Sequence, residues 1–416
     1  MAPATAQDKR EGKTFAYKVR DSSGKVAAGT MEGPSQAAVA DKLRRNGFSP
    51  ITITEQRTNP LQAELSIPGL GNKVGLKDLA VFSRQFATMI NSGLSLIRTL
   101  NILAEQTENK RLAEVTKELR VHVEEGGSLS DAMAQHDDVF PKLHIAMVRA
   151  GETAGNLDEV LVRVAETLES DLALRRKIKS AVTYPIVVLV LAVLAVIAML
   201  IFVVPTFVGM FEDMGGELPV PTQILLAMSN FVQAFWWLIP IVLIGAWQAF
   251  SRSRRNASVR YRLDQLKLQL PVFGPLFQKV ALSRFARNLS SLLRAGVPIL
   301  QALDITAETV NNGVVSDALT DVRNSVKDGE SVAAPLEQHS VFPPMTVQML
   351  AVGEETGQID LMLAKISEFY DQEVEAATES LTAMLEPLMI AVLGGIVGAM
   401  VIALYMPMFE IFELIG

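Results

Sequence analysis

Three stretches of the chain carry no charged residue and are apolar over about 20 residues, the length of helix that crosses a bilayer. The first is Ala181 to Phe211, and its centre, Ile186 to Val204, is almost wholly Ile, Val, Leu, Ala, Met and Phe. The second lies within Leu218 to Ser251. It is most apolar from about Phe231 to Phe250 and holds all three tryptophans, Trp236, Trp237 and Trp247, which suits contact with membrane interfaces. The third, Pro387 to Phe409, contains Gly394, Gly395 and Gly398. The spacing Gly394-x-x-x-Gly398 either permits close helix contact or is tolerated in an ordinary span.

Basic residues orient these stretches. Arg175, Arg176, Lys177 and Lys179 precede the first, and Arg252, Arg254, Arg255, Arg260 and Arg262 follow the second, while the segment between has Glu212, Asp213 and Glu217 and no Lys or Arg. The positive-inside rule puts both basic flanks in the cytoplasm. Three spans are therefore expected, with the N-terminus inside and a few C-terminal residues outside.

Elsewhere the apolar period is that of amphipathic helices, and it occurs twice. Leu79, Phe82, Arg84, Gly93 and Leu100 align with Leu282, Phe285, Arg287, Gly296 and Leu303 at a shift of 203. Gly126-x-Ser128 likewise matches Gly329-x-Ser331. After a one-residue deletion Phe140-Pro141 matches Phe342-Pro343, Gly151-Glu152 matches Gly353-Glu354, and Pro185 and Pro205 match Pro387 and Pro407. Chance does not sustain such a register over about 130 positions. Each copy is a helical domain ending in a span that leaves the cytoplasm, and the unduplicated Trp-rich span returns the chain between them. Leu79, Phe82, Phe86, Met89 and Ile90 share a helix face that Leu282, Phe285, Leu289, Leu292 and Leu293 repeat. Gly93 and Gly296 suit left-handed helix ends, Ser95 and Pro298 the starts of the following helices, and Ser128 and Ser331 are expected N-caps.

The fold class expected is mainly α: two cytoplasmic bundles of about six helices each, three transmembrane helices, and a small α+β module at the N-terminus. A leader and ββαβ module occupy 1–56, a Pro- and Gly-rich linker 57–75, and the first helical domain 76–180. The first span is 181–211, an outer loop 212–224, the second span 225–250 and a cytoplasmic connector 251–281. The second helical domain is 282–385, the third span 386–410 and an outer C-terminus 411–416.

Composition sharpens this picture. Of 416 residues 49% are apolar and 20% charged, and the mean hydropathy is +0.27. That is too high for a purely soluble chain and too low for one embedded throughout. A net charge of −7 argues against a nucleic-acid partner, and the absence of Cys removes disulfides, thiolate metal sites and thiol nucleophiles. The hydrophilic first dozen residues lack the apolar core of a secretory signal, so the N-terminus is expected to stay in the cytoplasm.

Catalytic constellations are not evident. Gly12-Lys13-Thr14 lacks the earlier glycine of a phosphate loop, since Gln7 stands there, and His122, His136, His144 and His339 have no metal-ligand spacing. The apolar stretches carry no central charge of the kind that marks a transport path, which disfavours a solute transporter. No cofactor or metal is expected. What remains is a doubled motif, GETAGNLD at 151–158 and GEETGQID at 353–360, presenting Gly151, Glu152, Gly155 and Asp158 in one copy and Gly353, Glu354, Gly357 and Asp360 in the other. Helix punctuation accounts for the glycines, and Asn156 with Glu159 fits a capping box in the first copy. For the shared Glu three readings stay open: it anchors exposed backbone N–H groups, meets a basic partner, or binds a cation.

Together Phe-x-Arg-Gln from Phe82, its copy from Phe285, the paired Phe-Pro and Gly-Glu motifs and Pro407-x-Phe409 resemble the type II secretion F family. In the second copy Asn288 follows Arg287, so the Gln of the first motif is not retained. The resemblance spans both repeats, about 330 residues. It implies a non-enzymatic inner-membrane platform whose partners are a cytoplasmic assembly ATPase, pilins, other inner-membrane assembly proteins and further copies of itself. Phe15 to Tyr17, FYDQEVE at 369–375 and Leu404-Tyr405-Met406-Pro407 make it more similar to the pilus-assembly branch than to the secretion branch.

Overall fold

The computed structural model describes residues 13–20, 26–33, 36–45, 47–55, 73–213, 218–253 and 256–415. Two compact units divide the chain at residue 72. The expected leader, most of the linker, Gln7, Gly12, Arg254 and Arg255 lie outside the described residues.

In the first unit β1 (Lys13–Arg20) sits between β2 (Val26–Gly33) and β3 (Ser49–Glu55), antiparallel to both, with α1 (Gln36–Arg45) connecting β2 to β3. Val39 and Leu43, four apart on α1, are fully buried, and Lys42, Arg44 and Arg45 fill its last turn, where cations complement the helix dipole.

The second unit begins with α2 (Leu76–Asn91), α3 (Leu96–Gln106), α4 (Lys110–Glu124), α5 (Leu129–Ala134), α6 (Lys142–Ala154) and the 42-residue α7 (Leu157–Ala198). A π-turn (Met199–Val203) joins α7 to α8 (Val204–Asp213). Next come α9 (Val220–Phe235), α10 (Leu238–Ser253) and α11 (Ala257–Gln269). The pattern of α2–α7 then recurs as α12 (Phe273–Arg294), α13 (Ile299–Thr309), α14 (Gly313–Lys327), α15 (Ala333–Leu336), α16 (Pro344–Glu355) and the 57-residue α17 (Ile359–Ile415).

The duplicated residues explain the duplicated form. Gly93 and Gly296 adopt φ of 84° and 86°, the left-handed conformation that only glycine takes without strain, and so end α2 and α12. Asn109 and Asn312 cap α4 and α14, their side chains accepting from Leu112 N and from Val314 and Val315 N. Phe82 packs against Phe140 at 6.3 Å between ring centroids and Phe285 against Phe342 at 5.2 Å, which is why Phe-x-Arg and Phe-Pro recur together. The buried apolar residues of both repeats form one continuous core.

Among the described residues two helices are long and apolar enough to cross a membrane: Leu157–Phe211 and Ile359–Pro407, with peak mean hydropathies of 3.6 and 2.5. Neither starts at a membrane edge. Each rises out of its own helical repeat without leaving helical conformation, the first by way of the π-turn at Met199–Val203. They run parallel, touching at Leu174 and Val374, through the Lys177–Glu375 ion pair (2.7 Å), and again at Leu200 and Met400. Leu191 and Ile390 are 61% and 66% exposed, so these outer faces are available to lipid.

The Trp-rich stretch differs from the single span expected there. It forms two 16-residue helices, α9 and α10, interrupted at Trp236 and Trp237. Pro240 has no N–H to return to the Trp236 carbonyl, which weakens the helix at that turn. Gly394, Gly395 and Gly398 face open space, with no atom within 4 Å of where a Cβ would stand.

Candidate functional site

In both repeats the Gly-Glu motif sits where the last turn of a short helix, α6 or α16, meets the next long one, and its residues divide the work. Gly151 lies against Val160 of α7, where an added Cβ would come within 2.9 Å of the valine side chain, and Gly353 lies equally close to Met362 of α17. Gly155 and Gly357 take φ of 76° and 68° and reverse the chain. The turn closes through hydrogen bonds from Asn156 N to Gly151 O (3.0 Å) and from Gln358 N to Gly353 O (2.7 Å).

Glu152 points away from this turn toward α5. Its Oε1 accepts from Leu129 N at 2.5 Å and its Oε2 from Ser130 N at 3.0 Å, while Ser128 Oγ accepts from Asp131 N at 3.1 Å. Three of the orphan N–H groups that open this six-residue helix thus have acceptors. In the second repeat Glu354 accepts from Val332 N (2.8 and 3.1 Å) and Ala333 N (3.3 Å), and Ser331 Oγ from Ala334 N (3.0 Å). Asp158 lies exposed in the first turn of α7, and Asp360, in that of α17, faces Arg294 at 3.7 Å.

One expected contact is corrected. Asn156 and Glu159 form no capping box: Asn156 makes no side-chain cap, its φ and ψ are −118° and 42°, and its Oδ1 is buried without a hydrogen-bond partner. The backbone is turned so tightly that the Asn156 N–H closes the preceding helix, and the side chain cannot reach the next one.

The surroundings of the two motifs differ in charge. Beside the first, Arg149 reaches across to Asp131 at 3.0 Å, and the Ser128 hydroxyl and then Arg149 hold that carboxyl below the usual range. Ala351 and Ala334 replace this pair in the second repeat. That leaves an open groove of about 550 Å³ rimmed by Glu330, Glu337, Glu354 and Glu355. Among the described residues no group of three or more His, Asp or Glu side chains is close enough to hold a metal ion. His136 and His339 occupy equivalent places beside Glu118 (3.1 Å) and Asp321 (3.3 Å), whereas His144 is fully buried on α6 and desolvation pushes its pKa down to about 4.

A second constellation involves the arginines of the Phe-x-Arg motifs. Arg84 makes a two-pronged contact with Glu169 on α7, at 2.7 and 2.5 Å. Arg287 does the same work on α17: it contacts Asp371, is joined there by Ser283, and also reaches Asp171 of the first repeat at 3.3 Å. Sequence reasoning singled out the arginines but not their acids, although Glu169 and Asp371 fall in register at the shift of 202. Of the basic residues expected to set orientation, Arg175, Arg176, Lys177 and Lys179 line α7 just before its apolar part, and Arg252 ends α10.

These paired motifs are those of a known family. The type II secretion system (T2SS) protein F profile matches residues 82–205 and again 285–407, and the N-terminal domain profile of type II secretion system protein F matches residues 3–54. The chain belongs to the type II secretion system protein F family. The family profile begins at Phe82 and Phe285 and ends at Pro205 and Pro407, so it covers each repeat from its first helix into its apolar segment. Type IV pilus assembly protein PilC of Thermus thermophilus is 43% identical over 398 residues, covering 95% of this chain and 98% of its own. The Myxococcus xanthus protein of the same name is 41% identical, with coverages of 95% and 94%. Type II secretion system protein F of Vibrio cholerae is 33% identical, covering 97% and 99%.

Proposed function

We propose that this family member is the inner-membrane platform on which type IV pili are assembled, a scaffold and not an enzyme. The observation that carries the reading is the higher identity to the two PilC proteins named for pilus assembly, 41% and 43%, than to the secretion protein, 33%, at similar coverage. Continuous α7 and α17 support a mechanical role. A 42-residue helix is about 63 Å long, so displacement at the cytoplasmic repeats is carried along it into the bilayer. In this reading a hexameric ATPase engages the helical repeats and pilins meet the apolar segments, alongside other inner-membrane assembly proteins.

The orientation follows the charges. The repeats and basic flanks face the cytoplasm, α7–α8 and α17 cross outward, and α9 and α10 together make the return crossing between them. Glu152 and Glu354 act within this scaffold by holding α5 and α15 in place. Deleting the gene is expected to abolish surface pili while pilin is still made, and unchanged piliation refutes the proposal. The secretion reading has its own support in the 33% relative aligned over nearly its full length. It predicts instead that export of folded enzymes stops while piliation continues.

A further inference from the structure

The two repeats meet head to tail, through different faces. Before α7 and α17 come together at Leu174 and Val374, the first contributes α6 and α7 and the second α12 and α13. Arg163 Nη1 donates to Arg294 O (2.9 Å), Thr167 meets Ser291 (3.1 Å), Asp171 meets Arg287 (3.3 Å), and Lys142 meets Glu308 (2.8 Å). A symmetric pairing would also join α2 and α3 to α16 and α17. Among the described residues, no hydrogen bond or ion pair links α2 or α3 to the second repeat. Each chain therefore keeps one unused copy of each face.

The residues at those unused positions suit one another. Thr167 is 6% exposed, but its counterpart Phe369 is 37% exposed. Glu159 and Arg163 correspond to Leu361 and Lys365, both also exposed. On the other face Arg284, Arg287 and Ser291 correspond to Val81, Arg84 and Thr88, and Val81 is 50% exposed. The charge pair is kept in sign, since Asp171 with Arg287 becomes Glu373 with Arg84; within the chain Glu373 pairs with Lys279 and Arg84 with Glu169, as Arg287 pairs with Asp371 while also reaching Asp171.

We propose that a second copy of this chain docks its α2 face, Val81, Arg84 and Thr88, on the α17 face made by Leu361, Phe369 and Glu373, repeating between chains the contact that joins the repeats within one. A heterologous contact of this kind generates a ring when its rotation closes. Because α7 and α17 are parallel, the operation relating the repeats turns about an axis along these helices, and each added copy keeps the same orientation across the membrane. This goes beyond the platform reading and does not depend on it.

The absence of cysteine makes the test direct. Two differently tagged full-length copies, one carrying Thr88→Cys and the other Phe369→Cys, are co-expressed and oxidised in membranes. A disulfide between unlike copies is expected, at least tenfold more abundant than one between two Thr88→Cys copies. Phe369→Asp, a surface change, is expected to convert the detergent-solubilised chain from oligomer to monomer by light scattering. No disulfide between unlike copies, dominance of the like pair, a monomeric parent chain, or an oligomer indifferent to Phe369→Asp overturns the proposal.

Discussion

Replacing Glu152 by alanine separates an internal anchor from a partner contact. The carboxylate accepts two backbone N–H groups at the start of α5, at 2.5 and 3.0 Å, and is only partly buried. A hydrogen bond to a charged group contributes about 1.5–3 kcal/mol, with about 0.3–1 kcal/mol more from a negative charge at a helix N-terminus. Allowing for partial exposure, Glu152→Ala is expected to cost about 2–4 kcal/mol and Glu152→Gln, which keeps one acceptor oxygen, about half of that. A six-residue helix has little stability of its own, so the loss is felt locally as release of α5. Thermal melting of the solubilised chain is expected to drop by about 4–8 °C for the alanine variant. Hydrogen exchange is expected to show lost protection at Leu129 and Ser130. Piliation should fall in proportion to stability, with Gln intermediate. Unchanged melting and protection together with lost piliation would show that the carboxylate meets a partner instead, and the anchoring argument would fail.

Three further perturbations follow from other parts of the structure. His144 binds a proton only below about pH 4 when folded but near 6.5 when unfolded, so stability is full above 6.5 and is lost as pH falls toward 4, by about 3 kcal/mol; denaturation across that range should show the slope and His144→Leu should flatten it. Arg287→Met leaves acids without their buried cation and should cost about 3 kcal/mol, whereas Arg84→Met at a 39% exposed side chain should cost under about 1 kcal/mol; equal melting shifts would refute the burial argument. Thr222→Val removes a donor from the Ala403 carbonyl and should cost about 1–2 kcal/mol in detergent melting, while Thr222→Ser should behave as the parent; identical Val and Ser variants would refute it.

The parts of this fold legible in the sequence are those where each residue answers to neighbours three or four positions away. The stripe from Leu79 to Phe86 is buried as its period requires, and Gly93 and Gly296 turn the chain where they were expected to. Contacts across long separations were not legible in the same way. Glu169 lies 85 residues from Arg84, and only the internal alignment could have paired them. Asn156 has the right type for a cap, but its backbone is already committed to closing α6. Hydropathy averages over a window, so it registers α9 and α10 as one apolar run and is blind to the interruption at Trp236 and Trp237.

The unduplicated α9 does more than return the chain to where the second repeat starts. Pro205 lacks an N–H, and in the π-turn before it the Val204 N–H bonds Met199 O, which leaves the Leu200 carbonyl without a backbone donor. Pro407, its counterpart, leaves the Ala403 carbonyl in the same position. Away from water each such carbonyl is costly. Ser229 Oγ donates to Leu200 O and Thr222 Oγ1 to Ala403 O, both at 2.5 Å and both from α9, seven residues or two helical turns apart. One helix face thus completes the hydrogen bonding of both repeats at the proline positions they share. A movement that bends either long helix at its proline must first break a bond to α9, and through α9 it is felt by the other repeat.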